Sequence, residues 1–143
     1  MGETAKALNI ALRPTEISGP QELPSAFSDL ADAQVGGLVV TDTTRIIIGV
    51  AAIAAFARKH NVPSVGPLEF AKRGGLVGYG VDFLSLFHRA AAFVDKILKG
   101  ERPPDIPIER VTRFKLVLNL NTARELGLTV PPLLLATADE VIE

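Results

Sequence analysis

The chain has 143 residues, 48% of them hydrophobic, enough for one ordinary domain that buries roughly two thirds of its unfolded surface. Its 15 Lys and Arg stand against 16 Asp and Glu, and the net charge of −1 gives no electrostatic footprint for nucleic acid or an anionic membrane. The absence of cysteine excludes disulfides, thiolate nucleophiles and Cys-based metal sites; no apolar run approaches the ~20 residues of a membrane span, and MGETAKALNIAL lacks the basic start and long apolar core of a secretory signal.

Glu3 to Leu8 reads as the last turns of a helix, with Asn9 as a left-handed cap. Ile10 to Ile17 has strand character, but Pro14 cannot donate to a ladder, so an edge strand is expected. Ser18, Gly19 and Pro20 form a turn, and Pro24 suits the first turn of a helix through Ala33 with Phe27 and Leu30 facing inward.

The stretch from Gly36 to Val65, GGLVVTDTTRIIIGVAAIAAFARKHNVPSV, reads as strand, polar turn, helix and the start of a second strand. Gly37 to Val40 is short and apolar, as in a mid-sheet strand covered on both faces. Thr41, Asp42, Thr43 and Thr44 follow directly. In an open α/β sheet such residues at the carboxyl end of a strand face the crevice where ligands bind, whereas helix capping alone needs only one of them. The helix from Thr44 to His60 has almost no polar face before Arg58, which predicts cover on more than one side, and Asn61 and Pro63 stop it.

Val62 to Val65 is expected as a short buried strand, and Gly66, Pro67, Leu68 and Glu69 as the loop at its carboxyl end, level with the Asp42 turn if the strands are parallel. Glu69 is either a ligand contact or a solvated loop acid or helix starter. Lys72 to Gly75 is a basic turn introducing a strand from Leu76 to Tyr79. GGLVGYG is not a phosphate loop, because its glycines surround a strand instead of following one and opening a helix. Tyr79, the one tyrosine, is expected at the carboxyl end of its strand, where its ring either stacks on a ligand or joins the core.

Asp82 caps a helix through Lys99, closed by Gly100. Ser85, His88, Asp95 and Lys99 share one narrow stripe, which puts His88 on a solvent face. The remaining surface is too wide and apolar to be covered by one neighbour. Arg102 to Pro107 is a Pro-rich connector, and Arg113 to Leu120 alternates as a half-exposed strand. Asn121 is expected to cap a short helix ended by Gly127, followed by an extended Pro-Pro segment and a terminal apolar turn.

The runs RAAAFVDKILKGERPPDIPIERVTRFKLVLNLNTARELGLTVPP and ATADEVIE, with VVTDTTRIIIGVAAIAAFARKHNVPSVGPLEFAKRGGLVGYGVDF upstream, resemble substrate-binding proteins of bacterial ABC transporters, in particular those handling small organic solutes, some of them aromatic amino acids. The resemblance covers essentially the whole chain. It implies one lobe of a type I periplasmic-binding fold, an α/β architecture with an open, mostly parallel, three-layer sheet of flavodoxin or Rossmann-like type. Residues 1–81 would be the second lobe without its first strand, and residues 82–143 the crossing helix, connector, strand and tail that complete the first lobe and hinge. That first lobe and an export signal fall outside this sequence, which the resemblance marks as a partial, truncated protein.

The resemblance further implies a non-catalytic module of periplasmic or extracytoplasmic proteins, without cofactor or metal, whose partners are a small-molecule solute and an ABC permease. Its ligand contacts fall on Asp42, Thr43 and Thr44 in the polar turn, on Glu69 and on Tyr79. Two other expectations stand beside it. One is a Rossmann-like enzyme using Asp42 or Glu69 as acid or base, against which stands the absence of a phosphate loop, an HExxH helix and a GxSxG elbow. The other is a fragment that self-associates, as a homodimer, through the helix from Asp82 to Lys99.

Overall fold

The computed structural model describes residues 2–143, and of residues 44–47 the backbone alone. Helices are α1 (Gly2–Ala7), α2 (Leu23–Asp32), α3 (Thr44–Lys59), α4 (Leu68–Lys72), α5 (Phe83–Leu98), α6 (Leu120–Glu125) and α7 (Pro132–Thr137). Strands are β1 (Leu38–Val39), β2 (Ser64–Gly66), β3 (Val77–Val81), β4 (Phe114–Asn119) and β5 (Glu140–Ile142). They form one sheet in the order β1-β2-β3-β4-β5, in which β3 and β4 are antiparallel and every other pair is parallel. The expected α/β, mostly parallel architecture is present. Among the described residues, no helix is long and apolar enough to cross a membrane.

Side chains alternate along each strand, so the registers sort them into two faces. Leu38 pairs with Ser64, Gly66 with Gly78, and Gly78 with Val117, which places these residues on one face with Val40 and Asn119. Helices α3 and α4 cover it. Val40, Val50, Ile53, Ala54 and Phe70 form the buried cluster there with Leu23 of α2, and Phe27 stacks on Phe56 with ring centroids 4.5 Å apart. Gly78 allows α4 to lie directly on β3, since a Cβ at that position would stand 2.9 Å from the Leu68 carbonyl oxygen. The other face carries Val39, Val65, Val77, Tyr79, Val81, Phe114, Leu116, Leu118 and Val141; Leu118 is buried there, whereas Val39, Tyr79, Phe114 and Val141 are exposed.

Several local expectations hold. Asn9 and Asn61 adopt the left-handed conformation, with φ of 54° at each, and end α1 and α3. Pro24 lies in the first turn of α2, and the Asp82 carboxylate accepts a hydrogen bond from the Ser85 N–H as the cap of α5.

Others are corrected. Residues 10–17 form no strand: Pro14 interrupts them and no neighbouring strand pairs with them, so their backbone stays exposed. For the same reason β1 is an edge strand, not a mid-sheet one, and Val39 lies exposed. Helix α3 is covered on one side only, because Ile48, Ala51, Ala52 and Ala55 face solvent. Strand β4 is buried by position along its length instead of by alternation: Val117 and Asn119 are enclosed by α4, while Phe114 at the other end is exposed. The cap of α6 is Asn119, not Asn121. The expected terminal turn is a helix, α7, followed by β5, which is held to β4 by the Asp139 N–H donating to the Leu116 carbonyl at 2.9 Å and the Leu116 N–H donating to the Asp139 carboxylate at 2.8 Å.

Candidate functional site

Strands β1, β2 and β3 run in the same direction with Val39 level with Val65 and Val65 level with Val77. Their carboxyl ends therefore open onto one rim of the sheet, the position at which α/β sheets receive ligands. Thr41, Asp42 and Thr43 leave β1 there and are all exposed. Thr43 is the N-cap residue of α3 with extended backbone (φ −134°, ψ 147°), yet its side chain makes no capping hydrogen bond. The capping role that could have accounted for this turn is not what its hydroxyl does. The side chain of Thr44 lies outside the described residues.

On the neighbouring strand, Gly66 ends β2 and Pro67 leads into α4, so Glu69 sits in the first turn of a helix instead of in a loop. It is exposed on the same rim. Tyr79 is one residue beyond the level of Gly66, matching Pro67 and Thr41 in height, but it is the third residue of a five-residue strand and not its last. Strand β3 continues past the rim because β4 extends its ladder, pairing Gly80 with Lys115 and Val81 with Phe114.

Tyr79 is 56% exposed and lies on the open face, where its ring stacks on Phe114 at 5.6 Å with the planes 10° apart. Phe114 was not legible as a site residue, since the diagonal cross-strand contact depends on the register of β3 against β4. Beyond the pair, the Lys115 ammonium lies 3.4 Å from the Asp82 carboxylate, where the helix cap and the start of β4 meet.

Partial desolvation pushes the Asp82 carboxyl up, but the Ser85 N–H and the Lys115 ammonium outweigh it and hold the group below the usual aspartate range. Its contribution to the cap is therefore present above the ordinary carboxylate range and is lost as pH falls through the lowered value. Carbon-detected NMR titration should show Asp82 titrating below an unperturbed aspartate. Asp82→Ala should fray the first turn of α5, whereas Asp82→Asn should retain it, as an asparagine caps without charge. A midpoint at or above the ordinary range would contradict the arrangement.

Two shallow concavities lie elsewhere. One, of about 450 Å³, runs between α2 and α3 and is lined by Phe27, Ala52, Phe56 and His60; the other, of about 490 Å³, runs between α5 and residues 109–113. There Arg89 makes a bidentate ion pair with Glu109, drawing the Glu109 carboxyl down, and covers the Phe93 ring at 5.5 Å. Neither concavity includes Asp42, Thr43, Glu69 or Tyr79, each of which is exposed. His88 is exposed beside the second, and no cluster of three or more potential metal ligands occurs among the described residues.

The fold matches about half of each of several solved structures. A conserved domain protein from Vibrio cholerae superposes with a TM-score of 0.84 at 21% identity, over 98% of this chain and 47% of that one. An ABC domain from Streptococcus pneumonia, in complex with L-Trp, gives a TM-score of 0.84 at 23% identity, over 98% and 48%. A ligand-free, open substrate-binding protein with adhesive properties from Clostridium difficile gives 0.74 at 18% identity, over 99% and 47%. The chain thus spans about half the length of these structures. The family described as ABC transporter substrate binding protein matches residues 1–142, and the chain belongs to it. Comparison with curated protein sequences returned no match.

Proposed function

We propose that this chain is a solute-binding module of an ABC-type uptake system, and that the carboxyl rim of β1 to β3 holds one side of the solute. Asp42 and Glu69 provide acceptors for an amine or hydroxyl, Thr43 and Thr44 provide hydroxyls, and Tyr79 offers a ring face, extended by Phe114. The observation that carries the reading is the polar turn at Thr41 to Thr43, exposed at the carboxyl end of β1, where Thr43 makes no side-chain capping bond.

The solute is a small organic molecule of amino-acid type; an aromatic one suits the stacked pair of rings, as does the L-Trp held by the streptococcal relative. The role is non-catalytic and needs no cofactor. An ABC permease is the partner, and the site of action is extracytoplasmic. Residues 1–81 act as the ligand-holding lobe, and residues 82–143 supply the crossing helix, connector and strand that belong to the opposite lobe and hinge. In support, α5 is a 16-residue helix with no buried residue. Association of two chains through α5 is the alternative that the same observation favours.

Calorimetric titration with a panel of amino acids is the test. At least one aromatic amino acid should bind, with heat lost in Asp42→Ala and reduced at least tenfold in affinity in Tyr79→Ala. Affinity should be modest, because one lobe desolvates only one side of a solute. Equal binding by wild type and both variants would remove the rim from the account, and conversion of the ligand to product would indicate an enzyme.

A further inference from the structure

Tyr79 and Phe114 are the aromatic part of the rim, but they are not held alike. Tyr79 is the third residue of β3 and pairs with Leu116 inside the ladder, with Gly78 and Gly80 paired on either side of it. Phe114 opens β4: its pair with Val81 is the last of the β3–β4 ladder, and residues 107–113 before it are exposed and form neither helix nor strand. Strand ends fray unless other contacts tie them.

The tie is on the reverse face. Successive side chains alternate, so Tyr79 and Phe114 lie on one side of the two strands, and Lys115 and Asp82 on the other. The Lys115 ammonium stands 3.4 Å from the Asp82 carboxylate, diagonally across the ladder, and Gly80, opposite Lys115, brings no side chain between them. Asp82 is itself anchored: its N–H donates to the Arg113 carbonyl at 3.1 Å, its carboxylate accepts from the Ser85 N–H at 3.3 Å, and its side chain is 13% exposed. The register gives the two diagonals opposite leans. Phe114 lies two residues beyond Tyr79 toward the carboxyl end of β3, whereas Lys115 lies two residues short of Asp82. Together the pairs brace the start of β4 against sliding along β3 in either direction.

We infer that Lys115 is a positioning residue of the solute site: through Asp82 it holds the start of β4 so that the Phe114 ring stays beside Tyr79, and it thereby sets the preference of the rim for aromatic over aliphatic solutes. This rests on the proposed function, in which the rim seats the solute. Lys115 acts through Phe114 and not by contact with the solute. An aromatic solute gains from two nearly parallel ring faces because stacking depends on ring orientation, whereas an aliphatic side chain gains only contact area, which loosely placed rings still supply.

Tyr79 is the one tyrosine and the chain has no tryptophan, so the tyrosine band of the near-ultraviolet circular dichroism reads this ring alone. The band is recorded without solute for wild type, for Lys115→Met, which keeps the aliphatic stem without the charge, and for Lys115→Arg, which restores a cation. Calorimetry on the same three proteins then gives affinities for L-Trp and L-Leu. The band should weaken in Lys115→Met and return in Lys115→Arg. L-Trp affinity should fall roughly threefold to fivefold in Lys115→Met, the effect of one cross-strand pair, with any L-Leu affinity unchanged and L-Trp affinity restored in Lys115→Arg. An unchanged band in Lys115→Met would overturn the inference, as would equal losses for L-Trp and L-Leu, the mark of a general structural role. A wild type that binds neither amino acid sinks the proposed function and with it the preference, while the band, read without solute, still decides whether Lys115 places the rings.

Discussion

Phe70→Ala should lower unfolding stability by about 3–5 kcal/mol, the range found when a fully buried phenylalanine is truncated. Phe70 is 0% exposed and is the largest completely enclosed side chain among the described residues. Its ring fills the space over two glycines: a Cβ at Gly66 would lie 2.8 Å from its Cγ, and one at Gly75 would overlap the ring outright. The ring thus sits where β2 ends and β3 begins, and its backbone is held from both sides, the Phe70 N–H donating to the Pro67 carbonyl and the Gly75 N–H to the Phe70 carbonyl, each at 2.8 Å.

Truncation leaves a cavity bounded by backbone that cannot collapse into it, which favours the upper part of the range. The converse change, Gly75→Ala, should also destabilise, and the double variant Gly75→Ala/Phe70→Ala should be less unstable than the sum of the two singles. Urea unfolding followed by circular dichroism checks both; a loss under about 1 kcal/mol in Phe70→Ala would mean that the core is not organised around this ring.

The second large effect is expected at Asn119. Its side chain is buried at the end of β4, where its amide donates to the Ala71 carbonyl at 2.9 Å and its carbonyl oxygen accepts from the Thr122 N–H at 3.0 Å. One residue therefore caps α6 and fastens it to α4. Thr122 adds a second tie, its hydroxyl donating to the Gly74 carbonyl at 3.0 Å.

Asn119→Ala removes the cap and leaves the Thr122 N–H without its acceptor, while the Ala71 carbonyl keeps the Gly74 N–H at 3.1 Å, so a fall of about 1–3 kcal/mol is expected. Asn119→Asp should be as harmful at neutral pH, because a carboxylate still accepts from Thr122 but presents an unpaired oxygen to the Ala71 carbonyl. Its deficit should shrink as the pH is lowered and the group is protonated. An Asp variant as stable as wild type at neutral pH would show that the Ala71 bond contributes nothing.

The features legible from sequence are those set locally. Helices α3 and α5 follow from long apolar periodicity, their ends from Asn61 and Gly100, and the α5 cap from Asp82, because each signal is contained within a turn or two of chain. Residues 10–17 misled because strand character needs a neighbouring strand, which no local pattern supplies. The cap of α6 was misplaced by two residues because Asn119 and Asn121 have the same chemistry, and burial against Ala71 decides between them.

At the candidate site, the Thr41 to Thr44 turn was visible because a polar run follows an apolar strand directly. The continuation of β3 two residues past Tyr79, and the partner Phe114, were not, since both depend on how β3 registers with β4.

Chemical-shift mapping tests the central claim most directly. With the backbone assigned and L-Trp titrated into the ¹⁵N-labelled chain, the largest shifts should fall at Thr41 to Thr43, at Glu69 and at Tyr79 with Phe114, saturating together with one affinity. Shifts confined to the α2–α3 groove around Phe56 and His60, or to the concavity beside Arg89 and Glu109, would contradict the placement of the solute on the carboxyl rim of β1 to β3.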